Sequence, residues 1–250
     1  MIIGRGGAGI EALRLELEKM IKKTAFATAD DPNKPIFNGI NLIIEGKNVI
    51  TGATDSHIAA LKIDEHEAKD SCNIIIPARI LNKVLAVKTA KDADIKITID
   101  NNMVAFSLDN VTILSRLIIG SFPSIERVIP KTFKIRFELD KKKFLSAVEH
   151  ISVFDKGDYK KLLISAENDC MTLKMSSELG EGIECIPCKT PEEKFSIAFN
   201  ASYFVSVLSS IEAESVLFEV NSPLTPALFS DTSDSSIRYV ITPLRVPKAA

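Results

Sequence analysis

The sequence predicts an α+β fold built twice. Three observations carry this reading: two matching pairs of amphipathic helical stripes, alternating strands between them, and turn residues spaced closely enough to join neighbouring strands as antiparallel hairpins. The order helix, strands, helix, strands recurs after roughly 125 residues, which points to two alike domains and not to one enzyme core.

The first helix shows Leu17, Met20, Ile21 and Thr24 at i, i+3, i+4, i+7, a single stripe to bury. The second follows Pro77, which starts a turn, and carries Ile80, Leu81, Val84 and Leu85. The third repeats the stripe with Phe144, Leu145, Val148 and Ile151, and Asn200 opens a fourth with Phe204, Val207, Leu208 and Ile211. Between helices the period drops to two. Ile95, Ile97 and Ile99 alternate with Asp94, Lys96 and Thr98, and Val216, Phe218 and Val220 alternate with Leu217 and Glu219, as in half-buried strands. Glu45-Gly46-Lys47-Asn48, Asp100-Asn101-Asn102 and Glu167-Asn168-Asp169 are hairpin turns. Sheets are therefore expected to be antiparallel with helices packed on one face. The expected organisation is a flexible leader over 1–10, one domain over 11–130 and a second over 131–250, divided near Pro130 to Phe133.

At 250 residues and 46% hydrophobic content the chain can bury two ordinary cores. No apolar run approaches the ~20 residues that span a bilayer, and Met1-Ile2-Ile3 runs at once into Gly4 and Arg5, unlike a secretory signal. A soluble cytoplasmic protein with no membrane partner is expected. Four scattered cysteines suggest reduced thiols, and the lone C-x-x-C of Cys185 and Cys188 has neither a second pair nor a suitably spaced histidine to make a zinc site.

Two motifs invite catalytic readings and fail on context. Gly4-Arg5-Gly6-Gly7-Ala8-Gly9 satisfies G-x-G-x-x-G, but a dinucleotide fold needs a buried strand before it and a parallel βαβ unit after it. A nucleotide-dependent oxidoreductase is the alternative resting on this leader, and it predicts retained NAD or NADP. Asp55, Ser56 and His57 are adjacent in what reads as an extended segment, where Ser56 projects away from both neighbours. His66 and His150 lack metal-like spacing. No catalytic constellation is expected.

Basic residues gather on the repeated helices: Lys19, Lys22 and Lys23 on the first, Arg79 and Lys83 on the second, Lys141, Lys142 and Lys143 entering the third. Against a net charge of −2 they could form a local phosphate-binding surface, although the spacing alone favours a solvated helix face.

Six segments, in order, resemble the bacterial DNA polymerase III beta subunit, the sliding clamp. They are Phe37-Asn38-Gly39-Ile40, Ala53-Thr54-Asp55-Ser56-His57, Gly120-Ser121-Phe122-Pro123, Arg127-Val128-Ile129-Pro130, Phe199-Asn200-Ala201-Ser202-Tyr203 and Tyr239-Val240-Ile241-Thr242-Pro243-Leu244-Arg245. The resemblance implies a non-catalytic processivity factor of a DNA polymerase holoenzyme, without a cofactor or metal. It implies domains with antiparallel sheets outside and two helices on the inner face, ringed around duplex DNA bound without sequence preference. The basic helix residues would then face phosphates diffusely, as sliding requires.

The resemblance also implies a pocket in which the replicative polymerase, the clamp loader and repair proteins insert short apolar peptide motifs. Matching positions are Phe37, Thr54, Ser56, His57, Ile58 and Ala59, then Pro123, Arg127 and Val128, and finally Leu224, Pro226, Val240, Thr242, Pro243, Leu244 and Arg245. Aliphatic and proline walls would hold anchors while His57, Arg127 and Arg245 orient carbonyls or a carboxylate. Ordinary core and strand-end roles are the plainer reading of the same residues. Gly and Arg are common in the family where this chain has Ser56 and Ile58, so an altered motif preference is expected.

Family members have three such domains per chain, and this chain corresponds to the middle and last. Val153 and Phe154 match the last domain's contribution to the subunit interface. Self-association, association with a full-length clamp, or an isolated peptide-binding module with no ring are the expectations that follow.

Overall fold

The structure, a computed structural model, describes residues 8–65, 71–88, 94–153, 157, 160–178, 180–189 and 195–245. It separates into two units, Met1–Ile125 and Glu126–Ala250.

The first unit runs β1 (Ala8–Leu13), α1 (Arg14–Thr24), β2 (Gly39–Glu45), β3 (Asn48–Thr54), β4 (Ile58–Glu65), β5 (Cys72–Pro77), α2 (Ala78–Ala86), β6 (Asp94–Asp100), β7 (Met103–Leu108) and β8 (Val111–Arg116). Its strands pair antiparallel in the orders β1-β6-β7-β8 and β5-β2-β3-β4. The second unit runs β9 (Ile135–Asp140), α3 (Lys141–Ser152), β10 (Lys161–Glu167), β11 (Cys170–Ser177), β12 (Gly180–Pro187), β13 (Phe195–Asn200), α4 (Ala201–Ser210), β14 (Ser215–Val220), β15 (Ala227–Asp231) and β16 (Ile237–Ile241). Its antiparallel orders, β9-β14-β15-β16 and β13-β10-β11-β12, reproduce the first unit strand for strand. The duplication is therefore one of topology, α+β in both halves.

The helical stripes bury as their spacing predicts. Leu17, Met20, Ile21 and Thr24 of α1, Leu81 and Val84 of α2, Phe144, Val148 and Ile151 of α3, and Phe204, Val207 and Leu208 of α4 are all buried. Ile80, Leu85 and Leu145 are only partly covered, at the stripe margins. Asp140 caps α3 by accepting from the Lys143 N–H at 2.9 Å, and Asn200 caps α4 by accepting from the Ser202 N–H at 3.0 Å. Each cap ties a strand end directly to the next helix. Pro77 is both the last residue of β5 and the cap of α2, where its missing N–H costs nothing.

The hairpin turns fall where the turn residues lie, with Gly46, Asn101 and the pair Asn168 and Asp169 in the left-handed region. On β6, Ile95, Ile97 and Ile99 face the core as expected. Strand β14 departs from its expected half-buried pattern, because Glu219 is buried as well. Its Oε1 accepts from Arg136 Nε at 2.7 Å and lies 2.6 Å from Nη2, across the β9–β14 register. The charge enters the sheet because a directly opposed guanidinium accompanies it.

Two further expectations need correction. Residues 8–10, assigned to a flexible leader, belong to β1 and pair with β6, while residues 1–7 lie outside the described residues. The cysteines are not all reduced: Cys170 and Cys185 form a disulfide between β11 and β12, their Cα atoms 5.8 Å apart. Their positions are diagonal neighbours in the ladder, a relation that a 15-residue separation in sequence does not reveal. Among the described residues no helix is long and apolar enough to cross a membrane.

Candidate functional site

The segments that carry the resemblance are held by specific local chemistry. Before β2, Asn38 clamps the preceding loop: its Oδ1 accepts from the Asp31 N–H and its Nδ2 donates to the Asp31 carbonyl, both at 3.0 Å. The Ala29 N–H donates to the Phe37 carbonyl at 2.8 Å, and the Phe37 ring meets Phe122 edge-on with centroids 6.3 Å apart. Gly39 follows because a Cβ there would lie 2.7 Å from Ile75 Cγ2 and 2.8 Å from the Ile76 carbonyl.

The Asp55-Ser56-His57 segment is a turn, not the extended run expected. The Asp55 carboxylate accepts from the N–H groups of His57 and Ile58 at 2.7 and 2.8 Å, and Thr54 Oγ1 accepts from Ser56 N–H while donating to the Ile58 carbonyl at 2.7 Å. Both backbone amides share one oxygen of Asp55, Oδ1. Ser56 is held at φ 87°, a conformation that glycine adopts without cost.

In the first unit, Thr54, Ile58 and Ala59 are buried, Phe37 is half-buried, and Ser56, His57 and Pro123 are exposed. In the second, Val240 is buried, Pro226, Pro243 and Leu244 are partly covered, and Arg127, Val128, Leu224, Thr242 and Arg245 are exposed. Val128 and Leu224, 52% and 74% exposed, are large apolar side chains presented to solvent. Leu224 sits on a turn in which Ser222 and Thr225 bond each other's side chains and backbone. The tail after β16 is anchored where the Leu244 N–H donates to the Ala198 carbonyl at 2.7 Å.

Of the basic residues, Lys19, Lys22, Arg79, Lys83, Lys142 and Lys143 are exposed and Lys141 is partly covered. Lys23 is corrected: only 8% exposed, it belongs to the buried side of α1 and not to an open basic face. Lys22 pairs with Glu18 one turn back. Lys141, Lys142 and Lys143 occupy the first turn of α3, which holds no acidic residue. Cations there oppose the helix dipole, at about 0.3–1 kcal/mol each. Val153 is 69% exposed after α3, while Phe154 and His66 lie outside the described residues.

Among the described residues no cluster of His, Cys, Asp and Glu could hold a metal ion. Burial, reinforced by Asp169, pushes the Cys188 thiol up, away from the thiolate that redox chemistry needs, and Cys185 is already bonded to Cys170. The last glycine of the G-x-G-x-x-G run, Gly9, lies in an antiparallel strand, and α1 begins only at Arg14. A phosphate-binding strand-to-helix turn is therefore not formed at Gly9.

Residues 13–124 match the model of the DNA polymerase III beta subunit central domain, and residues 126–245 match the C-terminal domain of the same subunit. A beta sliding clamp of Staphylococcus aureus (strain Mu50 / ATCC 700699) is 28% identical over 233 residues, covering 92% of this chain and 62% of that protein. The chain thus spans less than two thirds of the curated relatives it matches. The DNA polymerase sliding clamp of Bacillus subtilis superposes with a TM-score of 0.89 at 25% identity, over 99% of this chain and 66% of that one. The DNA polymerase III beta subunit of Thermotoga maritima shares the fold, with a TM-score of 0.91 at 23% identity over 99% of this chain and 68% of that one. Taken in order, the two domain matches cover nearly all the described residues, and the chain belongs to the DNA polymerase III beta-subunit family, whose central and C-terminal domains it carries.

Proposed function

We propose that this chain is a DNA sliding clamp, or the partner-binding part of one: a non-catalytic processivity factor that encircles duplex DNA and tethers a polymerase through short apolar peptides. The observation that carries the reading is the ordered match of both units to one clamp family. Lysines in the first turn of α3 support it independently. Local helix electrostatics favour acids at that position, so three adjacent lysines are best accounted for by a function that wants positive charge near phosphate. Exposed Val128 and Leu224 likewise suit apolar peptide anchors better than they suit solvent.

The test is retention on DNA. Loaded with a bacterial clamp loader and ATP, the chain is expected to stay on nicked circular duplex and to run off after linearisation. Equal loss from both forms, with peptide binding intact, would leave the isolated peptide-binding module as the correct reading; no peptide binding either would overturn both. Lys142→Glu combined with Lys143→Glu separates DNA contact from folding. Thermal stability should rise slightly, because acid replaces base at the positive helix end, while the salt dependence of DNA binding should flatten by about two units of slope.

A further inference from the structure

The first unit contains a cavity of about 310 Å³ between β5, the β6–β7 turn and the segment 117–122. Its lining includes Asn73, Asn101 and Asn102 with Ile119 and Phe122 and, among the described residues, no charged side chain; the Asn73 carboxamide is held in place, its Oδ1 accepting from Asn41 Nδ2 at 2.8 Å. Among those residues a phosphate or carboxylate ligand would find no counter-charge, so they suit a neutral ligand rich in paired donors and acceptors.

The backbone indicates its form. Strand β5 is the end of the order β5-β2-β3-β4, and the Ile118 N–H donates to the Ile75 carbonyl at 2.9 Å on the side away from β2. Groups two residues apart point the same way along a strand, so the N–H and C=O of Asn73, a residue of the cavity lining, also face away from β2. The Leu117 N–H holds the other wall by donating to the Asn102 carbonyl at 2.8 Å. Gly120 completes it, since a Cβ there would meet Ile36 Cδ1 at 2.8 Å. Phe122 joins the cavity to Phe37, a candidate peptide contact, through their edge-on rings.

We infer that this cavity is an extension subsite for partner peptides: an uncharged, extended segment flanking the apolar motif adds to the β5 edge at Asn73 and lays neutral side chains against Asn101, Asn102 and Ile119. The inference deepens the peptide-binding reading and rests on it. It identifies the partner as a peptide whose flank is neutral and extended, where charged flanks are rejected.

Fluorescence anisotropy with labelled Ala-Leu-Ala-Leu-Phe, alone and extended at either end by Ser-Asn-Val-Gln, tests it. One extended form should bind at least fivefold tighter than the parent, and a Glu-Asp-Glu-Glu extension should give no gain. Ile119→Arg, at a site 77% exposed and therefore tolerant of change, should abolish the gain and leave the parent peptide within twofold. A gain that survives Ile119→Arg, or none at either end, overturns the subsite. If the parent peptide itself fails to bind, the peptide reading falls. Amide shifts at Asn73, Asn101 and Asn102 with free Ser-Asn-Val-Gln then decide the cavity alone, their presence upholding it and their absence ending it.

Discussion

The two units share a strand order and differ in what fills them. The first is packed with isoleucine, including Ile40, Ile44, Ile75, Ile76, Ile95 and Ile97, and Phe106 is its one phenylalanine among the largest fully buried side chains. In the second, Phe137, Phe144, Phe199, Phe204, Phe218 and Phe229 form a connected group of rings. Topology is therefore set by the placement of apolar residues and turns, while core chemistry is free to drift provided the volume is filled. Isoleucine distributes packing over many small contacts. The phenylalanine cluster concentrates it in a few residues.

The largest expected effect follows from that concentration. Phe218 touches five other rings, with centroids from 4.8 Å at Phe229 to 6.3 Å at Phe199. Phe218→Ala should cost about 3–5 kcal/mol, and hydrogen exchange should show protection lost first across residues 126–250. Uniform loss through both units would contradict the comparison.

Next is Asp231, whose carboxylate accepts from Ser233 N–H and Oγ at 2.9 and 2.6 Å and from Glu212 N–H at 3.0 Å. Burial alone would raise its pKa, but these hydrogen bonds outweigh it and hold the carboxyl below its ordinary range. A depressed native pKa stabilises above the unfolded value of about 3.9 and loses that contribution as pH falls through the native value. Acid titration should thus weaken the second unit below about pH 4, and Asp231→Ala should remove that dependence while costing about 1–3 kcal/mol at neutral pH.

Ile97→Val, one methylene from the distributed core, should cost only about 0.5–1.5 kcal/mol in denaturant melts. The smallest effect has the opposite sign. Ser56→Gly relieves a left-handed backbone, and a gain of up to about 1 kcal/mol is expected. Unchanged stability would mean that the Thr54 and Asp55 hydrogen bonds already offset the strain. Ile58→Arg is the poorer probe of peptide preference, since Ile58 is buried and the substitution would bury a charge.

Much of this molecule is determined by its sequence alone. Helix stripes and strand alternation are periodic and local, so the buried faces of α1 to α4 and of β6 could be read without knowing their partners. Turn residues such as Asn101 and Asn168 act through their own backbone and were equally legible. Tertiary structure decided what depends on distant neighbours. Glu219 is buried because Arg136, 83 residues away, lies opposite it. Cys170 meets Cys185 because two strands share a register, and Lys23 is covered although its neighbour Lys22 is exposed. The cavity beside Asn73 exists only where three separate segments converge. Periodicity predicts which way a side chain points, whereas burial, pairing and enclosure are properties of what the chain brings to meet it.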